Sequence, residues 1–181
     1  MNLYLKTYLQ RYLLFLFLLL LLLAWLLNEM FKRQDVAALT LSATALIAIV
    51  FHEGYRENAY IPVAGDVPTI GYGTTKGVQL GDKTDPLSAL ATAHRDIKGF
   101  EGAIKSCVKV PLYQWEYDAY TSLAYNIGST AFCNSTLVRL LNDGRYEDAC
   151  RQILRWDKFK GKPLAGLTKR RNEEYRKCIN A

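Results

Sequence analysis

The chain has 181 residues, of which 50% are hydrophobic, 12% aromatic and 22% charged. This composition predicts one compact domain with an appended segment and excludes collagen-like, low-complexity and intrinsically disordered proteins. The formal net charge of +6 is concentrated at the N-terminus and in residues 101–181, which hold fourteen basic and nine acidic side chains. No nucleic-acid-binding motif accompanies this charge, so we expect no nucleic-acid partner.

The N-terminal segment indicates the compartment. Residues 12–27 are sixteen apolar or uncharged residues, close to the 17–25 or so that a membrane-spanning helix needs. Lys32 and Arg33 follow in place of a small-residue cleavage site, which favours an uncleaved signal anchor over a cleaved signal peptide. We therefore predict a transmembrane helix in residues 1–34, anchored in the inner membrane, and a periplasmic domain in residues 35–181.

Beyond the anchor, the hydrophobic spacing is mostly helical. An almost continuous apolar run between Ser42 and Gly54 predicts a buried helix. Turn residues and β-branched letters in residues 59–73 predict a short hairpin, with Pro62 and Pro68 at its strand edges. Helical spacing returns in Pro86–Ser106, Leu112–Ile127, Ser135–Asn142, Tyr146–Trp156 and Gly166–Ile179. We expect an α+β fold with a cleft between a small hairpin lobe and a larger helical lobe.

Four cysteines lie in the predicted periplasmic domain: Cys107, Cys133, Cys150 and Cys178. In an oxidising compartment, this even number predicts two disulfides. Three connectivities are possible, and we favour the sequential pairing because it closes two loops between neighbouring predicted helices. A zinc site is the alternative, but the chain has no C-x-x-C pair and both histidines are distant in sequence, so we expect no metal or cofactor.

Glu53 has the clearest chemical signal of any single residue. It ends an apolar helix, where burial and the negative end of the helix dipole disfavour ionisation. A carboxyl group that keeps its proton at neutral pH can act as a general acid toward a glycosidic oxygen. The alternative is a partly exposed helix end in which Glu53 pairs with Arg56.

Several ordered sequence blocks are similar to the phage-type lysozymes, also called glycoside hydrolase family 24. They are EGYR at 53–56, VPTIGYGTT at 67–75, YDAYTSLAYNIG at 117–128, STLVRLLN at 135–142 and GLTKRRNEE at 166–174. The resemblance covers about residues 40–178. It implies a lysozyme-like fold and hydrolysis of the β-1,4 bond between N-acetylmuramic acid and N-acetylglucosamine in peptidoglycan, with lysis of the host cell.

The resemblance also implies roles for individual residues. Glu53 matches the general acid, and Thr69 matches the threonine that helps to place the attacking water. In most relatives eight residues separate the Glu from an Asp or Cys. In this chain Pro62 occupies that position. Asp66 is the carboxylate of the hairpin, so we expect it to serve as the base. The alternative is that Gly65 and Asp66 only form the turn.

Other side chains are predicted to orient the acid or to contact sugars: Arg56, Tyr60, Tyr72, Asn126 and Arg171, with Trp115 as a further stacking candidate. The basic C-terminal half suits an anionic cell wall, and we expect a monomer. Two other functions stay open, a chitin hydrolase and a wall-binding relative that has lost its base.

The topology of an N-terminal anchor before a lysozyme-like domain resembles that of signal-arrest-release endolysins. Their N-terminal helices are weakly apolar and rich in Gly and Ala, so they can leave the membrane. The segment of this chain is rich in Leu, which favours insertion more strongly. We therefore predict that it stays mainly in the membrane, with release to the periplasm as the alternative.

Overall fold

The structure is a computed structural model that describes residues 3–30, 32–63 and 65–180. The chain divides into two compact units, residues 1–33 and 34–181. The first unit contains helix α1 (Leu3–Met30), and the large apolar side chains described between residues 12 and 25 are mostly exposed. Judged over the residues that the structure describes, no helix is long and apolar enough to cross a membrane.

The second unit combines short antiparallel strands with packed helices. Its elements are α2 (Ala43–Glu53), β1 (Arg56–Tyr60), β2 (Thr69–Gly71), α3 (Pro86–Cys107), α4 (Gln114–Ile127), α5 (Ser129–Cys133), α6 (Thr136–Asn142), α7 (Tyr146–Ile153), β3 (Lys158–Phe159), β4 (Lys162–Pro163) and α8 (Ala165–Cys178). This mixture confirms the predicted α+β class.

Strands β1 and β2 form the predicted hairpin. They pair antiparallel, with Arg56 opposite Gly71 and Tyr60 opposite Thr69, and the register is irregular between these pairs. The hairpin begins three residues earlier than predicted, because the chain becomes extended directly after the end of α2. Backbone bonds to residues 82–84 satisfy the other edge of β1. The irregular pairing fits a connection that carries Pro62 and Pro68 outside the strands.

Helix α4 is the centre of the helical lobe, and all its residues from Glu116 to Ala124 are buried. It packs against α2, α3, α5 and α8. The prediction placed its start at Leu112, but Leu112 exchanges two backbone hydrogen bonds with Gln34, at 2.7 and 2.8 Å. The helix starts two residues later, where the Glu116 side chain accepts a hydrogen bond from the Tyr113 amide.

Helix α2 has the predicted ends but not the predicted burial. Ser42 caps it by accepting a bond from the Ala45 amide, and Gly54 at φ 68° ends it. Ala45 and Ile49 are buried, whereas Ile47 and Phe51 are 65% and 81% exposed. An apolar run without polar positions gives no period that distinguishes the two faces, so the prediction of a fully buried helix was wrong.

Two disulfides tie the helices together in the sequential pairing that we favoured. Cys107–Cys133 joins the end of α3 to α5, and Cys150–Cys178 joins α7 to the end of α8. The short helix α5 and the β3–β4 hairpin lie between the helices that the sequence predicted. Helix α5 has five residues and each strand of the hairpin has two, too few for hydrophobic periodicity to show.

Candidate active site

A cavity of about 920 Å³ lies between the β1–β2 hairpin and helices α3 and α4. Its lining includes residues that the sequence predicted as site residues and others that it did not. Its polar lining includes Glu53, Tyr60, Asp66, Thr69, Lys76, Arg95, Asp96, Tyr125 and Asn126. The structure therefore brings the predicted acid, base and water-placing threonine to one cavity.

Glu53 is the last residue of α2, and its side chain is 20% exposed. Its Oε1 atom accepts a hydrogen bond from Nη1 of Arg170 at 2.6 Å. The alternative that we considered from the sequence, a pair with Arg56, was wrong, because Glu53 pairs with Arg170. The Arg56 guanidinium instead lies 5.5 Å from the centroid of the Tyr60 ring, outside the residues that line the cavity.

A buried network fixes the position of Arg170. Its Nε atom donates to Oε1 of Glu174 at 3.1 Å, and its Nη2 atom donates to the Ser122 carbonyl at 3.3 Å. Ser122 also donates its hydroxyl to Glu174 at 2.7 Å. Because Arg170 and Glu174 are 5% and 4% exposed, helices α4 and α8 hold a fixed cation against Glu53.

Gly73 and Tyr125 lie against the other side of the acid. A Cβ atom at Gly73, which has a φ of 92°, would lie 3.4 Å from Oε2 of Glu53. The Tyr125 hydroxyl donates to the Tyr72 carbonyl at 2.8 Å, which holds the backbone beside Gly73. Burial raises the pKa of Tyr125, and the charges of Glu53 and Asp96 add to this effect, so its hydroxyl keeps its proton.

Asp66 and Thr69 come to the cavity from the hairpin. Asp66 is exposed, and its Oδ1 atom accepts a hydrogen bond from the Val67 amide at 2.9 Å. Thr69 is 7% exposed and donates its hydroxyl to the Val67 carbonyl at 3.2 Å. That donation leaves the lone pairs of the Thr69 oxygen available to accept a hydrogen bond from a water molecule.

The remaining predicted site residues divide into two groups. Tyr60 and Asn126 line the cavity. Arg171, predicted to contact substrate, is fully buried and donates to Asn126 at 3.1 Å, so it can act only by positioning that side chain. Tyr72 packs against Tyr55, with ring centroids 5.6 Å apart, and does not line the cavity.

Trp115 also lies away from the cavity. Its ring stacks on Tyr113 at 4.3 Å, in the first turn of α4, whereas the cavity residues of α4 are in the last turn. A separation of eleven residues along a helix corresponds to about 16 Å. The prediction that Trp115 stacks on a sugar in this cavity was therefore wrong.

Sequence reasoning missed Arg170, Asp96, Lys76 and Arg95. Arg170 is 117 positions from Glu53, and no local pattern links two residues so far apart. Asp96 accepts a hydrogen bond from the Thr74 hydroxyl at 2.8 Å, and Thr74 lies within the family block that we identified. The block that contains Thr74 was therefore the sequence signal from which this part of α3 could have been assigned to the site.

A second cavity, of about 390 Å³, also has Glu53 in its lining. Glu53 and Asn126 line both cavities, and Phe51, Leu164 and Leu167 add apolar wall to the second. The acid therefore lies where two binding spaces meet. This arrangement suits an enzyme that cuts within a polymer, because such a chain must extend to both sides of the bond that breaks.

Comparisons with known proteins show the family of this chain. The family model for phage lysozyme matches residues 50–174. An endolysin of Acyrthosiphon pisum secondary endosymbiont phage 1 is 42% identical over 138 residues, which cover 74% of this chain and 94% of that protein. A SAR-endolysin of Pseudomonas phage phiKMV is 37% identical over 141 residues, which cover 76% of this chain and 87% of that protein.

A solved structure shows the same relationship at the level of the fold. An endolysin from Escherichia coli O157:H7 phage FAHEc1 superimposes with a TM-score of 0.70 at 35% identity, covering 79% of this chain and 95% of that one. The chain belongs to the phage lysozyme family.

Proposed function

We propose that this protein is an endolysin, a muramidase that hydrolyses the β-1,4 bond between N-acetylmuramic acid and N-acetylglucosamine in peptidoglycan and so lyses the host cell. The observation that carries the proposal is the place of Glu53. It lies at the meeting point of two cavities, held by the buried cation Arg170, with Asp66 and Thr69 in the wall of the larger cavity. Membership of the phage lysozyme family supports the same activity.

In the reaction that we propose, Glu53 donates its proton to the glycosidic oxygen as the bond from that oxygen to the sugar's anomeric carbon breaks. A water molecule held by the Thr69 hydroxyl attacks the anomeric carbon. Asp66 accepts a proton from this water, so the two carboxyl groups exchange charge states over one turnover. Arg170 stays beside the carboxylate that proton donation leaves on Glu53.

The acid is tested by Glu53→Gln, which keeps size and hydrogen bonding but cannot donate the proton. We expect lytic activity on purified peptidoglycan to fall by about 10²-fold or more. Glu57→Gln is the matched control, because Glu57 is exposed on β1 and does not line the cavity. Near-normal activity of Glu53→Gln, or an equal loss in the control, would contradict the assignment.

We also propose that residues 1–34 anchor the protein in the inner membrane and that residues 35–181 act in the periplasm. Three observations support this proposal: the sixteen uncharged residues at 12–27, the exposure of the large apolar side chains described there, and the name SAR-endolysin of two relatives that are 37% and 34% identical. The two disulfides are consistent with an oxidising compartment.

A further inference from the structure

Two cations line the catalytic cavity and have no partner of opposite charge among the residues that the structure describes. Lys76 and Arg95 share this cavity with Glu53, and both are exposed. Arg95 donates to the neutral hydroxyl of Thr92 at 3.3 Å. In the described part of the chain, no carboxylate lies within ion-pairing distance of either cation. Both charges are therefore available to a ligand in the cavity.

A defined contact joins the two segments that carry these cations. Thr74, two residues before Lys76, donates its hydroxyl at 2.8 Å to Asp96, the residue after Arg95. Thr74 also exchanges backbone hydrogen bonds with Ile70 at 2.9 and 3.0 Å. The loop of Lys76 is thereby joined both to β2 and to the cavity face of α3.

The same loop places Lys76 near the acid. A Cβ atom at Gly73 would lie 3.4 Å from Oε2 of Glu53, and the three residues from Gly73 to Lys76 span at most about 10 Å of extended chain. Asp66 and Asp96 also line the cavity, where they accept hydrogen bonds from the Val67 amide and the Thr74 hydroxyl. The cavity that contains the acid therefore has two positively charged side chains in its lining, beside the carboxylates of Asp66 and Asp96.

We propose that Lys76 and Arg95 bind carboxylates of the peptide stems that the substrate's muramic residues carry. This inference rests on the proposed function. The sugar rings of the glycan strand are uncharged, so they give two cations nothing to pair with, whereas each peptide stem carries carboxylates. Arginine binds a carboxylate through two parallel hydrogen bonds, and lysine adds a point charge. The two residues make the enzyme prefer glycan with charged stems.

The test compares the full-length wild-type chain with the double variant Lys76→Gln/Arg95→Gln. The substrates are purified peptidoglycan and the same material with its carboxyl groups converted to amides. On untreated walls we expect the apparent KM of the variant to rise by about fivefold with kcat unchanged. On amidated walls the two proteins should have the same KM. Added NaCl should raise the KM of the wild type on untreated walls more than that of the variant.

Two further variants make the test specific. Lys98→Gln removes an exposed charge from α3 outside the cavity and should leave KM unchanged. Lys76→Arg/Arg95→Lys keeps both charges and should keep KM close to the wild-type value. An equal loss on amidated walls, a loss confined to kcat, or the same loss in Lys98→Gln would overturn the proposal.

A third substrate distinguishes between two sources of carboxylate. Removing the stems with an amidase leaves glycan strands whose charge is the lactyl carboxylate of the muramic residue itself. We expect the wild type and the double variant to have equal KM on these strands, and a difference as large as on intact walls would overturn the assignment to stems. A wild-type chain inactive on every substrate would instead overturn the proposed function, and the inference with it.

Discussion

Asp66 lies at the point where this chain departs from the usual family spacing, since Pro62 occupies the position of the usual carboxylate or thiol. Its carboxylate is exposed in the cavity wall, and its one described hydrogen bond comes from the neighbouring Val67 amide. A carboxylate in this setting can accept a proton from water without breaking a buried contact. The irregular register of the hairpin accompanies this altered spacing.

We therefore predict that Asp66→Asn abolishes measurable turnover. Because the side chain is exposed, the free energy of unfolding should change by less than about 1 kcal/mol. Asp96→Asn is the matched control, since Asp96 is the other aspartate in the same cavity and bonds to Thr74. Lysis rates and thermal melts of both variants check this prediction. An active Asp66→Asn together with an inactive Asp96→Asn would move the role of base to Asp96.

The sequence predicted site residues that belong to short sequence blocks. It did not predict the residues that reach the site through contacts between distant parts of the chain. Glu53 and Thr69 belong to short blocks, so their positions could be predicted. Arg170 reaches Glu53 from the other end of the chain, and the burial of Arg171 depends on how α8 packs on α4. Both arginines lie in the block at 166–174, but no pattern in their neighbours indicates which distant side chains they contact.

Between elements, the contact of α2 with α8 determines how the acid is held. His52 Nε2 lies 3.1 Å from Oε2 of Glu173, beside the pair formed by Glu53 and Arg170. Burial lowers the pKa of His52 from its usual 6.5, and the positive charge of Arg170 lowers it further. Three glutamates oppose this shift, and Glu173 has the largest effect of the three. The folded protein therefore resists protonation of His52 more than the unfolded chain does.

This difference gives a pH-dependent stability of known sign. As pH falls through about 6.5, the unfolded chain takes up a proton at His52 before the folded protein does, so the free energy of unfolding falls. Between about pH 7.5 and 5.5, the wild type should lose more stability than His52→Asn. The control is His94→Asn, which changes the exposed second histidine and should lose as much stability as the wild type. Thermal unfolding of the full-length chain in detergent measures this dependence of stability on pH. Parallel plots of stability against pH for the wild type and His52→Asn would contradict the prediction.

Element boundaries could be predicted where a capping residue marks them. Ser42, Gly54 and Ser135 mark helix ends that agree with the structure to within one residue, and Asp85 caps α3 just before Pro86. The exposed face of α2, the later start of α4 and the short α5 could not be predicted in this way. Each depends on tertiary pairing, as the bonds between Leu112 and Gln34 show.

At the scale of the whole molecule, the composition of residues 12–27 determines how strongly the N-terminal segment favours a membrane. Each Leu favours membrane insertion by several tenths of a kcal/mol, whereas Gly and Ala contribute little. The sixteen-residue run is short for a bilayer, and this mismatch opposes insertion by fractions of a kcal/mol per Å. About ten leucines should outweigh that effect, so we expect a stable anchor.

We predict that the full-length chain stays in the inner membrane fraction both before and after collapse of the membrane potential. Replacing the five leucines at positions 18–22 by alanine removes about 2 kcal/mol of insertion free energy, so this variant should move into the soluble periplasm when the potential collapses. Fractionation with blotting for full-length protein measures both. A large shift of uncleaved wild type would show that the Leu-rich helix releases, and a shortened soluble product would show that it is a cleaved signal.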